Sequence, residues 1–238
     1  MVARDAEQVA QAAAALIADQ VSAKPDSVIC VATGATLTRA YALLAERASQ
    51  CQFPTDRLRL VKLDEWLGLP MRADQSCDSY LRKHLLGPLN IPDENYIALD
   101  SEAPDTDAEC ERVIAAIAAA GGLDLAVLGI GTNGHLGLNE PGDSARPFCH
   151  VSMLTAETAG HAMLAGIDVA VTRGVTLGIG DVLRSRRILL LATGGHKAEA
   201  MRRLKRGTVT PALPASFLWL HPDVTCLCDA EAATMPEP

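Results

Sequence analysis

Arg187-Ile188-Leu189-Leu190-Leu191-Ala192-Thr193 is followed at once by Gly194-Gly195-His196-Lys197. The first run is apolar almost throughout. A strand reads this way when both faces of its sheet are covered. The glycine pair is a turn signal, and the segment from about His196 to Leu204 reads as a helix. A buried strand that turns directly into a helix is the repeating unit of a parallel α/β sheet. The same unit recurs upstream. Val28-Ile29-Cys30-Val31-Ala32, within Ser27 to Thr33, reads as a short buried strand. Gly34-Ala35-Thr36 turns the chain, and Thr36 or Thr38 can cap a helix reaching about Ser49. Leu125 to Leu128 is apolar enough for a central strand. Val224 to Cys228 supplies a last one.

Between these units, Val9, Ala13, Leu16, Ile17 and Val21 recur at helical spacing and predict a helix over 5–22. Leu58 to Leu63 reads as a strand that stops at Asp64-Glu65-Trp66 and continues as a loop to Pro70. Ser79 to Leu86 reads as a helix, and Ala108 to Ala120 as another, stopped by Gly121-Gly122. A long loop is expected from Gly129 to about Pro147. Strands at 151–154 and 174–177 flank a helix over 156–165. The reading is one α/β domain over residues 1–238. It has a mostly parallel sheet with helices on both faces, a Rossmann-like three-layer α/β/α arrangement.

The 238 residues are 49% apolar and 21% charged, which excludes general disorder. Aromatics are only 3%, so Ala, Leu, Val and Ile must build the core. A net charge of −8 and the lack of a basic stripe argue against a nucleic-acid partner. The short basic clusters at 184–187 and 202–206 read as solvated helix ends or faces. No apolar run reaches the ~20 residues of a membrane span. The N-terminus lacks a signal peptide's apolar region. Seven cysteines without a framework spacing suggest reduced thiols, hence the cytoplasm. No Cys/His pairing suggests a metal.

In parallel sheets, ligands sit outside the carboxyl ends of the strands. That rule selects Thr33 to Thr36, Asp64 to Trp66, Gly129 to Glu140, Arg173, and Gly194 to Lys197. Thr33-Gly34-Ala35-Thr36 offers small residues and a helix N-terminus to an anion; an ordinary βα turn fits it equally. Gly194-Gly195-His196-Lys197 has the same logic and adds a cation. Gly129-Ile130-Gly131-Thr132-Asn133-Gly134 matches the dinucleotide fingerprint literally. It is followed by His135-Leu136-Gly137-Leu138-Asn139-Glu140-Pro141-Gly142, which opens no helix, so a dinucleotide is not expected. His135 can titrate near neutral pH, with Glu140 near enough to orient it; a surface histidine is the plainer alternative. A half-buried Asp64 could serve as a base, or simply as a hydrogen-bonded loop residue.

Together these segments resemble the glucosamine-6-phosphate deaminase/6-phosphogluconolactonase superfamily from about Val28 to Asp229. The markers are Val31 to Thr36, Leu63 to Pro70, Ser79-Tyr80, Gly129 to His135, Asn139-Glu140-Pro141, Gly174 to Gly178, Gly194 to Lys197 and Leu220-His221-Pro222. The run Leu136 to Pro141 resembles the deaminase branch. Gly121 to Leu125, Asn133 to Gly142 and Pro214 to His221 resemble its bacterial galactosamine-6-phosphate deaminase/isomerase group. The resemblance implies conversion of galactosamine 6-phosphate to tagatose 6-phosphate and ammonia, or of glucosamine 6-phosphate to fructose 6-phosphate and ammonia. A lactonase or a non-catalytic sugar-phosphate sensor ranks lower.

By the same resemblance the protein is a hydrolase, isomerase and deaminase of amino-sugar catabolism, needing no metal or organic cofactor. It leaves a homo-oligomer open. Asp64 would move the C2 proton toward C1, and His135, supported by Glu140, would assist ring opening. Thr33, Gly34, Ala35, Thr36 and Lys197 would hold the phosphate. Two departures stand out. Asn133 occupies the position where glucosamine enzymes carry Asp. Their phosphate arginine has no counterpart, leaving His161 or Arg173 as substitutes.

Overall fold

The computed structural model describes residues 1–167 and 170–234. Its first helix, α1 (Ala6–Ala23), starts where the Asp5 side chain accepts the N–H of Gln8 at 2.9 Å. The face carrying Val9, Ala13, Ile17 and Val21 is buried. Next come β1 (Val28–Val31), α2 (Ala35–Ser49), β2 (Arg59–Lys62), β3 (Asp64–Leu67) and α3 (Cys77–Leu81). A single π-helical turn extends α3 to Leu86. The chain continues through β4 (Tyr96–Ile97), α4 (Thr106–Ala119), β5 (Leu125–Gly129), β6 (His150–Met153), α5 (Ala156–Ala159) and β7 (Arg173–Thr176). It closes with α6 (Ile179–Leu183), β8 (Arg187–Ala192), α7 (Ala198–Lys205), β9 (Val224–Cys228) and α8 (Ala230–Ala233).

Six strands form a parallel sheet in the order β4-β2-β1-β5-β8-β9. Its inner strands are buried residue after residue, as a sheet covered by helices on both faces requires. The α/β class and the mostly parallel sheet read from the sequence are those observed. Among the described residues, no helix is long and apolar enough to cross a membrane.

Three strands do not join this sheet. β3, β7 and β6 form a separate antiparallel sheet with β7 in the middle. The sequence reading stops the second strand at Asp64 and gives Asp64 to Pro70 to a loop. In the structure the chain switches sheets at Leu63. Lys62 pairs with Val31 in one sheet, and Asp64 pairs with Thr176 in the other. The charged pair Asp64-Glu65 disguises the strand, because burying Glu65 also calls on the N–H groups of Cys77 and Asp78, which the local sequence does not show. Behind the small sheet lies a second apolar cluster containing Trp66, Leu69, Cys77, Leu138, Leu164 and Val171. The helix expected over 156–165 breaks at Gly160 into α5 and a short 3-10 turn at Ala162–Leu164.

Candidate active site

From β1 the chain moves outward to β2, then returns to the opposite side of β1 as β5. The loops leaving the carboxyl ends of β1 and β5 therefore diverge, and a crevice opens at that reversal. A cavity of about 360 Å³ occupies it. Thr33 to Thr36 form one wall and Gly129 to Thr132 another, while Asp64 and Trp66 enter from the small sheet.

Asp64 owes its place to the switch between sheets. Its carboxyl borders the cavity although the residue is only 7% exposed. Burial and the neighbouring Glu65 carboxylate push its pKa up to about 6, against the opposing pull of His135 and Lys62. A carboxylate so poised can accept a proton near neutral pH. Glu65 has a different role. It is fully buried and holds four donors. Its Oε2 accepts from Lys62 Nζ at 2.6 Å and from the Asp78 N–H at 2.9 Å. Its Oε1 accepts the N–H groups of Cys77 at 2.8 Å and Trp66 at 2.9 Å. Glu65 thus ties β2 and β3 to the start of α3 and is not free to react. Lys62 is also fully buried, and no local pattern in the sequence singles it out.

His135 lies across the cavity in the loop after β5. Its ring packs on Gly131, where a Cβ would stand 2.5 Å from Nε2. Only glycine leaves the ring its place. Asn133 and Glu140 sit behind the histidine, outside the cavity lining. The His135 N–H donates to Asn133 Oδ1 at 3.0 Å, which turns the Asn133 amide nitrogen toward Glu140 Oε2, also at 3.0 Å. An aspartate in this orientation would bring two carboxylate oxygens to about 3.0 Å, and one would have to hold a proton. Asn133 therefore lets Glu140 stay ionised. Burial raises the Glu140 carboxyl, but the facing His135, Thr158 and Asn133 side chains and the charge of His135 lower it further, leaving it below its ordinary value. Thr155 and Thr158, from the start of α5, complete this cluster. In the sequence they show only as a helix-cap pattern.

The far end of the cavity is lined by Thr33, Gly34, Ala35 and Thr36 together with Lys197. The N–H groups of Ala35 and Thr36 precede the first i to i−4 bond of α2 and are open to an anion. The Thr36 hydroxyl accepts from Thr193 at 3.1 Å. Gly194 and Gly195 behave otherwise than expected. Their N–H groups are spent on the carboxylates of Asp229 at 2.9 Å and Glu231 at 3.3 Å, so neither glycine N–H is free for a ligand. Lys197 is half-buried, and burial lowers its amine pKa against the pull of Glu157. Of the two candidate substitutes for the missing arginine, His161 lines the cavity and Arg173 does not. Arg173 is exposed at the start of β7, opposite Leu67 and Met153. Among the described residues, no three of His, Cys, Asp or Glu are grouped to hold a metal ion.

Residues 3–226 match the profile of the family described as glucosamine-6-phosphate isomerases/6-phosphogluconolactonase. The chain belongs to this family. AgaI of Escherichia coli (strain K12), provisionally named a deaminase, is 48% identical over 207 residues, 87% of this chain and 82% of its own. The glucosamine-6-phosphate deaminase of Bacillus pumilus (strain SAFR-032) is 39% identical over 97% of both chains. A monomeric glucosamine-6-phosphate deaminase of known structure superposes with a TM-score of 0.93 at 36% identity, over 98% of each chain. The 6-phosphogluconolactonase of Trypanosoma cruzi shares the fold, with a TM-score of 0.79 at 21% identity. This family member is an enzyme. The hydrolase label expected from the sequence is corrected, because the near relatives are named deaminases and fall with the isomerases of the family's description.

The segment Pro214 to His221, which resembles the galactosamine group, is not remote from the site. The Ala215 N–H donates to the Gly134 carbonyl at 2.9 Å, and Arg203 bridges Asn133 O and Ala212 O at 3.4 and 2.7 Å. It braces the His135 loop from outside.

Proposed function

We propose that the protein is a deaminating aldose–ketose isomerase of an amino-sugar 6-phosphate, converting galactosamine 6-phosphate to tagatose 6-phosphate and ammonia. The observation that carries the reaction class is Asp64, a buried carboxyl poised at about 6 in the lining of the cavity that His135 also lines. The sugar phosphate would lie with its phosphate on the first turn of α2, with the Thr33 and Thr36 hydroxyls and Lys197 around it. His135 takes a proton from the anomeric hydroxyl and returns it to the ring oxygen, opening the pyranose. Asp64 then removes the C2 proton. The electron pair is held on the C1 oxygen as an enediol-like enolamine; Asp64 gives its proton to C1, and a proton passes from the C2 amine to the C1 oxygen as the C2–N double bond forms. The product carries an imine at C2, to which water adds as ammonia leaves. No step calls on a group beyond the protein, the substrate and water.

The galacto epimer is favoured by the residues that resemble the galactosamine group, Asn133 and the Pro214 to His221 brace. The second reading, glucosamine 6-phosphate giving fructose 6-phosphate, is favoured by the deaminase relatives named above. Ammonia release measured side by side on the two epimers tests the proposal. Turnover mainly of the galacto epimer is expected. Turnover mainly of the gluco epimer replaces the first reading by the second, and ammonia from neither refutes both.

A further inference from the structure

His135 Nδ1 and Glu140 Oε2 are 3.8 Å apart, beyond a hydrogen bond. Two hydroxyls fill the gap. Thr158 Oγ1 lies 3.2 Å from His135 Nδ1, Thr155 Oγ1 lies 3.2 Å from Thr158 Oγ1, and Glu140 Oε2 lies 3.1 Å from Thr155 Oγ1. Each hydroxyl has one proton to give, and an ionised carboxylate has none. Glu140 is held ionised by its surroundings, so Thr155 must donate to it. Thr155 can then only accept from Thr158. Thr158, its proton spent, can only accept from the ring nitrogen. With all three contacts used as hydrogen bonds, the donors run from His135 Nδ1–H through Thr158 and Thr155 to Glu140; the other tautomer has Thr158 donate to Nδ1 and leaves the contact between the two hydroxyls unused. Asn133 closes the alternative at the carboxylate end, since its amide nitrogen also donates to Glu140 Oε2, at 3.0 Å.

We propose that Thr158 and Thr155 are positioning residues: their hydroxyls relay Glu140 to His135 and fix the imidazole as the Nδ1–H tautomer, leaving Nε2 bare. The bare Nε2 is the atom that can take a proton from the substrate's anomeric hydroxyl, and in this the inference rests on the role given to His135 above. The relay also explains how a carboxylate outside the cavity governs the ring at its edge. Thr158 is 3% exposed, so water does not readily replace its hydroxyl. Removing that hydroxyl leaves Nδ1 without its acceptor.

The test reads the tautomer in the ligand-free enzyme. Long-range proton–nitrogen NMR on protein labelled with nitrogen-15 histidine, at a pH where imidazoles are neutral, shows which nitrogen of each ring carries the proton. The His135 signals are assigned by their loss in His135→Gln. The expected result is Nδ1–H for His135. Thr158→Val, which keeps the side chain's shape, should lose that preference and lower kcat by ~10–100-fold while KM changes little. Thr158→Ser should restore both. Thr155 also caps α5, accepting the Thr158 N–H at 3.3 Å, which makes Thr158 the cleaner position. An Nε2–H tautomer in the unmodified protein, or a Thr158→Val enzyme with unchanged kcat and tautomer, overturns the relay. Because the tautomer is read without substrate, a failed substrate assignment leaves the relay standing, and a failed relay leaves the substrate assignment standing.

Discussion

Replacing Asp64 by Asn removes an ionisation that burial makes unfavourable. The carboxyl is 7% exposed, and its pKa rises from an ordinary 3.8 to about 6. At ~1.36 kcal/mol for each pH unit, that displacement costs the folded state ~3 kcal/mol once the group is ionised. Because the folded pKa is the higher one, the stabilising contribution is complete below 3.8 and is lost as pH rises through about 6. Well above that value the unmodified protein carries the whole cost, and the Asn variant carries none. The variant should therefore be the more stable protein in mildly alkaline urea titrations, by up to ~3 kcal/mol. The gap should close as the buffer is brought toward 3.8. Turnover should fall by on the order of 10²–10⁴-fold, the value of a positioned base. A variant that is no more stable at alkaline pH, or a gap that stays constant with pH, would refute the placement of a buried, strained charge at this position.

Five other outcomes are expected from the geometry. The pH profile of kcat/KM should fall on the acid side with a midpoint near 6, because Asp64 must be ionised in the free enzyme to accept a proton; a flat profile through that region would remove it as the base. Gly131→Ala should cost on the order of 100-fold in kcat with an unchanged far-ultraviolet spectrum, since the new Cβ displaces the His135 ring. Glu65→Gln should destabilise the protein by about 3–5 kcal/mol in urea, because the buried Lys62 ammonium loses its counter-charge. Lys197→Met should raise KM severalfold, whereas Arg173→Ala, outside the cavity, should leave it within about twofold. In the unmodified enzyme KM should climb at a lower alkaline pH than an ordinary lysine would give, because burial pulls the Lys197 amine down and the cation is lost as pH rises.

The layered α/β class and five of the six parallel strands are legible along the chain. Runs such as Val28 to Val31 and Arg187 to Ala192 are too apolar to lie anywhere but between two covering layers, and the glycine turns after them leave no room for another connection. Asp64, His135 and the Thr33 to Thr36 turn are legible too as neighbours on one side of the sheet, because ligand-facing loops follow the strands' carboxyl ends. The short strand Tyr96–Ile97 escapes, being only two residues long. Pairing at a distance is settled only by folding. Asp64-Glu65-Trp66-Leu67 is a strand because β7 lies beside it and because Lys62 and the start of α3 satisfy Glu65. Gly194 and Gly195 look like an anion cradle until Asp229 and Glu231, more than thirty residues on, take their N–H groups. Thr155 and Thr158 read as a helix cap until folding sets them between Glu140 and His135. Periodicity and turn chemistry are local and can be read from neighbouring residues. The partners of a buried polar group are not local, and only the folded chain chooses them.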